Sequence, residues 1–251
     1  MNIEGPQVSG SPELTMVMPF YNPGLALGAN VADVVGVLGS TGVSFEVLVV
    51  NDGSTDDSAA TVEPTADGRV RLVELPAHAG KGEAVRVGLL QGRGRYRGFI
   101  DADGDIPADE LVAFVDAIRR DGVDMVVGSK LHPASDVAPG LLRHVYSWGF
   151  QLLVRVLFKL RVRDTQTGIK VFRREVLDAV LALTCEQRYA FDLELLVLAV
   201  SKGFDRIEEL PVRILRRQGS TVTVKAVGLI LADIFAIWWR LRVRGSYRPE
   251  A

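Results

Sequence analysis

Cysteine is almost absent from this chain of 251 residues, which contains only Cys185. One cysteine excludes an internal disulfide framework and any zinc site built from several cysteines, and it is typical of a reducing compartment. With 48% hydrophobic and 24% charged residues, the chain is neither disordered nor fibrous. We therefore expect a globular protein that is stabilised by burial of apolar side chains.

No single sign of charge dominates either. The 29 Lys and Arg residues nearly balance the 31 Asp and Glu residues, which argues against nucleic acid as the main partner. The charges are unevenly placed, because residues 202–251 hold ten basic and five acidic residues while the remainder is acidic. The basic C-terminal end predicts an anionic ligand or surface there, with solvated charge on the last helix as the alternative.

Long hydrophobic runs are also missing. The apolar run at residues 227–239 has thirteen residues and includes Asp233, whereas a spanning helix needs about twenty apolar residues. Residues 1–15 have neither the basic start nor the apolar stretch of a secretory signal. We expect no transmembrane helix, no signal peptide and a location on the cytoplasmic side.

Short apolar runs alternate with helical segments along the first half of the chain. The strands are predicted at residues 15–19, 45–51, 70–75, 97–101 and 123–128, and helices near 24–40, 55–65, 80–92 and 107–121. The second half is predicted to contain helices at 141–160, 174–183, 190–201 and 227–239, a short segment at 168–172 and a strand at 206–215. Valine-rich strands between helices are typical of a parallel sheet covered on both faces. The sequence therefore predicts an α/β fold with a Rossmann-like, mostly parallel sheet.

Polar residues follow three of these strands. Tyr21-Asn22-Pro23 comes after the first, Asn51-Asp52-Gly53-Ser54 after the second and Asp101-Ala102-Asp103 after the fourth. Ligands of open α/β sheets bind at the carboxyl ends of the strands. We therefore predict a binding site at this edge.

The acidic residues Asp101, Asp103 and Asp105 lie within five positions of one another. Such a cluster is tolerated when its side chains are solvated or when a cation bridges them. Mg²⁺ and Mn²⁺ bind a few carboxylates together with phosphate oxygens and water. The cluster indicates a metal–phosphate site, although Asp105 would equally serve as a helix cap.

Two further positions have a binding and a structural interpretation. Asp52 would accept a hydrogen bond from a nucleobase, or simply belong to a common turn. The segment Gly80-Lys81-Gly82 is not a nucleotide-binding Walker A motif, because Gly82 follows the lysine where that motif requires serine or threonine. Lys81 remains a candidate phosphate ligand beside its role at a helix start.

Taken together, these motifs resemble the GT-A family 2 glycosyltransferases. The resemblance covers residues 15–225 and includes Met18 to Asn22, the NDGSTD segment at 51–56 and Asp101 to Asp103. Residues 128–130 (GSK) look like a further element of that family. Residues 164–170 (DTQTGIK) and 191–195 (FDLEL) are similar to segments of the dolichyl/polyprenyl-phosphate hexose synthases, especially the glucosyl branch. Asn51 and Ile169 depart from the usual Asp and Phe of the family.

The resemblance implies an inverting, metal-dependent transfer of a hexose or N-acetylhexosamine from a nucleotide sugar to polyprenyl phosphate. A UDP-sugar is the expected donor. The alternatives are a soluble sugar or glycan acceptor, a GDP-mannose-using polyprenyl-phosphate mannosyltransferase, and a silent nucleotide-binding module. We expect a flexible N-terminus at 1–14, a GT-A domain at 15–221 and an amphipathic, membrane-associating extension at 222–251.

The resemblance also implies roles for individual residues. The expected catalytic residues are Asp101, Asp103, Asp164 and Asp192. The expected nucleotide-sugar ligands are Pro19, Tyr21, Asn22, Asp52, Lys81, Asp101, Ala102, Asp103 and Gln166. Mg²⁺ or Mn²⁺ is expected at Asp103 and Asp105, and the acceptor phosphate at Lys130, His132 and Arg143, with His132 equally readable as a loop histidine.

The sequence contains no evident catalytic histidine, and the charge of the expected acceptor accounts for this. A polyprenyl monophosphate is already an anion at pH 7, so the enzyme mainly needs positive charge and correct positioning. The aromatic residues of 141–160 and 227–239, with the basic residues beside them, predict helices lying on an anionic membrane surface. Core packing or a homodimer interface is the competing interpretation.

Overall fold

A seven-stranded sheet forms the centre of the protein in the computed structural model, which describes residues 11–135, 141–188, 190–215 and 224–247. The strands are β1 (Leu14–Phe20), β2 (Phe45–Asn51), β3 (Val70–Glu74), β4 (Tyr96–Ile100), β5 (Met125–Ser129), β6 (Ile169–Arg173) and β7 (Ile207–Pro211). Their order across the sheet is β3-β2-β1-β4-β6-β5-β7. The predicted α/β fold with a mostly parallel sheet is confirmed.

Seven α-helices flank this sheet in the described residues. They are α1 (Leu27–Ser40), α2 (Lys81–Gln91), α3 (Glu110–Ile118), α4 (Leu141–Phe158), α5 (Arg174–Val180), α6 (Phe191–Ser201) and α7 (Val224–Trp239). The helix predicted at 55–65 is wrong, since only a short 3₁₀ helix forms at Asp57–Thr61. The carboxylate of Asp56 accepts hydrogen bonds from the N–H groups of Ser58 and Gly24, which ties this segment to the loop after β1.

The direction of the strands brings the polar motifs together. Strands β1 to β4 run parallel to one another, while β6 is antiparallel to both β4 and β5. Strand β7 is parallel to β5. The carboxyl ends of six strands and the beginning of β6 therefore lie at the same edge. The DTQTG segment that precedes β6 consequently reaches the edge where the acidic cluster follows β4.

The core consists of two apolar layers, one on each face of the sheet. Alternate residues of β1 and β2 point to opposite faces, as the strand geometry requires. Val17 and Leu48 pack in the layer that contains α2, α4, α5, α6 and α7, and Met16 and Val47 pack in the layer with α1 and α3. Helices therefore cover both faces of the sheet, as the sequence predicts.

Helices α4 and α7 each bury one side in this core. Val154 and Phe158 of α4 lie in the same apolar cluster as Ile234 and Ile237 of α7. The core-packing interpretation of the aromatic residues is therefore correct for Phe158. Other large apolar side chains of the two helices are exposed, namely Leu152, Val156, Leu231, Phe235 and Trp239.

Among the helices of the described ranges, none combines the length and apolar character needed to cross a membrane. The predicted division into 1–14, 15–221 and 222–251 stays a prediction, because its second boundary falls in residues 216–223, outside the described part. Strand β1 begins at Leu14, and α7 packs on the same core as the sheet.

Candidate active site

An ion pair joins two of the predicted site residues at the carboxyl edge. Lys81 is the first residue of α2, Asp101 directly follows β4, and Lys81 Nζ lies 2.5 Å from Asp101 Oδ1. About a quarter of each side chain is exposed (25% and 29%), so the pair faces the open edge. Burial alone would lower the pKa of Lys81, but Asp101 and then Asp192 outweigh it and raise that pKa. Lys81 is therefore a cation at neutral pH.

A second lysine lies close to the first but inside the protein. Lys170 of β6 is fully buried, and its Nζ donates hydrogen bonds to the Thr167 carbonyl (2.7 Å) and to Asp192 Oδ1 (3.0 Å). Burial lowers the pKa of Lys170, although Asp192 opposes that effect. Lys81 Nζ and Lys170 Nζ lie 5.8 and 5.1 Å from the centroid of the same Phe99 ring. Lys81, Asp101, Lys170 and Asp192 thus form a lysine–aspartate cluster.

The last residue of the DTQTG segment, Gly168, packs directly against Asp101. A Cβ atom at this position would lie 1.8 Å from Asp101 Oδ2 and 2.2 Å from Asp101 Cγ. The Gly168 carbonyl also accepts a 2.8 Å hydrogen bond from the Asp101 N–H. Gly168 therefore leaves the space that the Asp101 carboxylate occupies.

Asp164 joins the loop after β5 to the loop before β6 through hydrogen bonds to its carboxylate. Its Oδ2 accepts hydrogen bonds from the Lys130 N–H (3.0 Å) and the Thr167 hydroxyl (2.5 Å), and its Oδ1 accepts from the Gln166 N–H (2.9 Å). Asp164 thus connects the end of β5 to the loop before β6. The predicted residues Lys130, Asp164 and Gln166 are brought together by direct contacts.

Asp52 lies beneath the same edge and is 2% exposed. Its carboxylate accepts hydrogen bonds from the N–H groups of Ala79 and Gly80, and His78 Nδ1 lies 2.8 Å from its Oδ2. Asp52 therefore orders the turn that leads directly into Lys81. The second strand end and the acidic cluster are connected through this turn.

The loop after β4 is short and internally hydrogen-bonded. Asp103 is exposed, and its Oδ1 accepts a 3.0 Å hydrogen bond from the Asp105 N–H. The Ala102 carbonyl accepts a 2.8 Å bond from Asn30 Nδ2, and Gly104 adopts a positive φ of 73° close to the Asn30 amide. Asn30 of α1 thereby fixes the loop that carries Asp103.

The loop after β1 lies beside the Asp52 turn. The Tyr21 ring stacks on His78 with centroids 4.0 Å apart, and Tyr21 is 46% exposed. Asn22 adopts a φ of 49°, and its side-chain oxygen accepts hydrogen bonds from the N–H groups of Thr55 and Asp56. Pro19 is a buried residue within β1, paired with Val50. Tyr21 is thus the member of this loop with an exposed aromatic face.

The predicted acceptor ligands lie after β5. Lys130 is half-buried, and His132 Nδ1 accepts a 3.2 Å hydrogen bond from the Ala134 N–H. This contact supports the interpretation of His132 as a loop histidine without testing its predicted contact with phosphate. The side chain of Arg143 lies outside the described part of the structure.

The carboxylates after β4 are the predicted metal ligands. No group of three or more His, Cys, Asp or Glu side chains within the described residues is arranged to hold a metal ion. Mg²⁺ is commonly held by one or two carboxylates together with water and substrate phosphates. Asp103 and Asp105 lie on one turn, and their role as metal ligands stays a prediction, whereas Asp101 is already paired with Lys81.

Sequence reasoning assigned no role to Lys170, Gly168, Asn30 or Glu194. Lys170 lies inside the apolar strand IKVFR, and this position could have indicated its role, because a buried lysine needs a carboxylate partner. The roles of Gly168 and Asn30 had no comparable signal, since each depends on a contact with a residue far away in the sequence.

Replacing Lys170 by methionine is expected to lower the free energy of unfolding by about 3–5 kcal/mol, because Asp192 would remain buried without its cation. Urea denaturation followed by circular dichroism measures the loss. The double variant Lys170→Met/Asp192→Leu removes both charges and should recover much of the stability. A single variant as stable as the wild type would contradict the buried ion pair.

This chain is similar to known glycosyltransferases. A family model described as "Glycosyl transferase family 2" matches residues 15–181. The dolichyl-phosphate beta-glucosyltransferase of Drosophila melanogaster is 31% identical over 97% of this chain and 80% of that protein. The enzyme of the same name from Dictyostelium discoideum is 31% identical over 74% of this chain, which spans 62% of that relative.

Solved structures show the same fold. Mannosyl-3-phosphoglycerate synthase from Rubrobacter xylanophilus superimposes with a TM-score of 0.70 at 16% identity, covering 96% of this chain and 77% of that one. Glucosyl-3-phosphoglycerate synthase from Mycobacterium tuberculosis, in complex with Mn²⁺, UDP and glucosyl-3-phosphoglycerate, gives 0.66 at 18% identity, covering 96% and 82%. The predicted GT-A architecture is confirmed.

Proposed function

Because this chain belongs to glycosyl transferase family 2, we propose that it transfers a hexose from a nucleotide sugar to polyprenyl phosphate with inversion. Membership confirms the resemblance predicted from the sequence. The observation that carries the proposal is the lysine–aspartate cluster beside the Asp103 loop, in a chain similar to dolichyl-phosphate beta-glucosyltransferases.

The proposed donor is a UDP-hexose, with glucose as the first candidate. The names of the curated relatives support glucose, and the neighbouring structure with UDP supports the nucleotide. The exposed ring of Tyr21 and the turn held by Asp52 would accommodate the base and ribose. Asp164, Gln166 and Asp192 would surround the sugar.

Mg²⁺ or Mn²⁺ at Asp103 and Asp105 would neutralise the diphosphate that leaves with the nucleotide. Asn30 and Gly104 fix the turn, so the Asp103 carboxylate is positioned before substrate arrives. Lys81 holds Asp101 in place and adds a positive charge at the phosphate end of the donor. These residues supply positioning and charge, which is what departure of a diphosphate requires.

The acceptor phosphate is proposed to lie near Lys130, on the side of the site where β5 ends. A phosphate monoester is anionic at neutral pH, so it attacks the anomeric carbon without first losing a proton to a strong base. Asp164 fixes the backbone of Lys130 through a 3.0 Å hydrogen bond and thereby orients this part of the site. Attack from the face opposite the leaving diphosphate inverts the anomeric configuration.

A donor panel tests this function directly. Radiolabelled UDP-glucose, UDP-galactose, UDP-N-acetylglucosamine and GDP-mannose are each incubated with the protein, Mg²⁺ or Mn²⁺, and decaprenyl phosphate. We expect label from UDP-glucose in a lipid that mild acid cleaves, identified by mass spectrometry. Label from GDP-mannose alone would favour the mannosyltransferase, and transfer only to a water-soluble acceptor would contradict the lipid acceptor.

The protein is proposed to reach this acceptor by lying on the cytoplasmic face of an anionic membrane. Leu231, Phe235, Trp239 and Val243 are exposed at intervals of four residues along α7 and its continuation. We call these four residues the exposed stripe. Arg242 and Arg244 lie beside its end, which suits anionic headgroups.

Replacing Phe235 and Trp239 together by serine is expected to weaken vesicle binding by about tenfold or more, because two large apolar side chains no longer enter the interface. Flotation with vesicles containing phosphatidylglycerol measures binding. Leu90→Ser is the matched control, since Leu90 is a half-exposed apolar residue of α2. Unchanged flotation together with loss of a dimer in sedimentation would instead assign the exposed stripe to a homodimer interface.

A further inference from the structure

A buried carboxylate connects the C-terminal end of the described chain to the body of the protein. Glu194 of α6 is fully buried, and its Oε2 accepts hydrogen bonds from the N–H groups of Cys185 and Glu186, both at 2.8 Å. Its Oε1 accepts a 2.5 Å bond from the hydroxyl of Tyr247, which is 4% exposed. Arg240 Nη1 lies 2.5 Å from Glu186 Oε1 and 3.6 Å from Glu194 Oε1.

The segment held by Glu194 packs directly on the turn that carries Lys81. The Gln187 carbonyl accepts a 3.1 Å hydrogen bond from the Glu83 N–H in the first turn of α2. A Cβ at Gly80 would lie 2.6 Å from the Gln187 oxygen, and one at Gly82 would lie 2.8 Å from the Gln187 carbonyl carbon. The two backbones therefore touch without intervening side chains.

We infer that Tyr247 and Arg240 are positioning residues for the donor site, acting through Glu194 and the 185–187 segment on Lys81. Three consecutive contacts form the connection, from Tyr247 to Glu194, from Glu194 to the 185–186 amides, and from Gln187 to the start of α2. Each is a hydrogen bond or a backbone contact in a packed region, so we expect a change at one end to alter the geometry at the other.

This connection gives the C-terminal helix a role besides contact with a surface. Tyr247 follows the exposed stripe in the chain, so the same segment carries both the proposed membrane contact and the support of Lys81. Loss of the Tyr247 hydrogen bond would loosen the 185–187 segment and the Lys81–Asp101 pair. We therefore expect the affinity for the nucleotide sugar to depend on the position of α7 against the core.

Tyr247→Phe tests the inference, because it keeps the buried ring and removes only the hydroxyl. Amide hydrogen exchange monitored by mass spectrometry should become about tenfold faster both in peptides covering 184–188 and in peptides covering 80–84. Arg240→Gln, which removes the partner of Glu186, should give the same pattern. Val156→Thr, at an exposed apolar position of α4 outside the exposed stripe, is the matched control and should leave both segments unchanged.

Steady-state kinetics of sugar transfer provide a second measurement, and its interpretation rests on the proposed function. The KM for UDP-glucose should rise about tenfold in Tyr247→Phe while the KM for decaprenyl phosphate changes less than twofold. A purely structural defect would instead lower kcat at constant KM. If the wild type shows no turnover, the proposed function fails while hydrogen exchange still tests the connection. Faster exchange confined to 184–188, or unchanged exchange in both segments, would overturn the inference.

Discussion

Asparagine in place of Asp103 is expected to slow sugar transfer by about a hundred- to a thousandfold while the fold is retained. Asn keeps the side-chain oxygen that accepts the Asp105 N–H, so the turn after β4 is preserved. What it loses is the negative charge that a divalent cation needs. The effect should therefore appear in kcat/KM and not in the melting temperature.

The Asp103→Asn variant is compared with Asp121→Asn, which removes the charge of an exposed aspartate after α3. The control should transfer sugar at the wild-type rate. Excess EDTA should inactivate the wild-type protein, and added Mn²⁺ should restore it. Wild-type activity of Asp103→Asn would refute the assignment of the metal to this loop.

Alanine in place of Gly168 is expected to reduce transfer by about a hundredfold or more, because its methyl group would occupy the position of the Asp101 carboxylate. Asp101 would have to rotate away from Lys81, and the 2.5 Å ion pair would open. Since Gly168 lies just before β6 and takes no part in its strand pairs, we expect circular dichroism to remain unchanged.

The matched control is Gly36→Ala in α1, where an added Cβ meets no atom within 4 Å. This variant should retain full activity and gain slightly in stability, because alanine favours a helix more than glycine does. Activity of Gly168→Ala equal to that of Gly36→Ala would show that the position of Asp101 is unimportant for transfer.

The sequence was sufficient to predict that its polar motifs share one edge of the sheet. Polar motifs after the first, second and fourth strands end up together because those strands are parallel and adjacent. The DTQTG segment reaches the same edge for a different reason, since β6 runs antiparallel and begins there. The position of β6 between β4 and β5, and its antiparallel direction, could not be predicted from local sequence patterns. Both depend on pairing between residues that are distant in the sequence.

Individual contacts within the site were less predictable than its location. Lys81 was a candidate phosphate ligand, and the structure shows that its ammonium group is paired with Asp101. Asp52 was a candidate base ligand, and its carboxylate orders the turn before Lys81. In both cases the residue type indicated a polar role, while the partner was determined by packing between separate elements of the fold.

We propose that the Asp103 loop holds a divalent cation, and that this cation in turn binds the diphosphate of the donor. Calorimetric titration of the protein with UDP, in Mn²⁺ and then in EDTA, measures that link without requiring turnover. We predict that Mn²⁺ tightens UDP binding by at least about tenfold in the wild type and has no effect in Asp103→Asn. Equal UDP affinity of the wild type in Mn²⁺ and in EDTA would contradict the account.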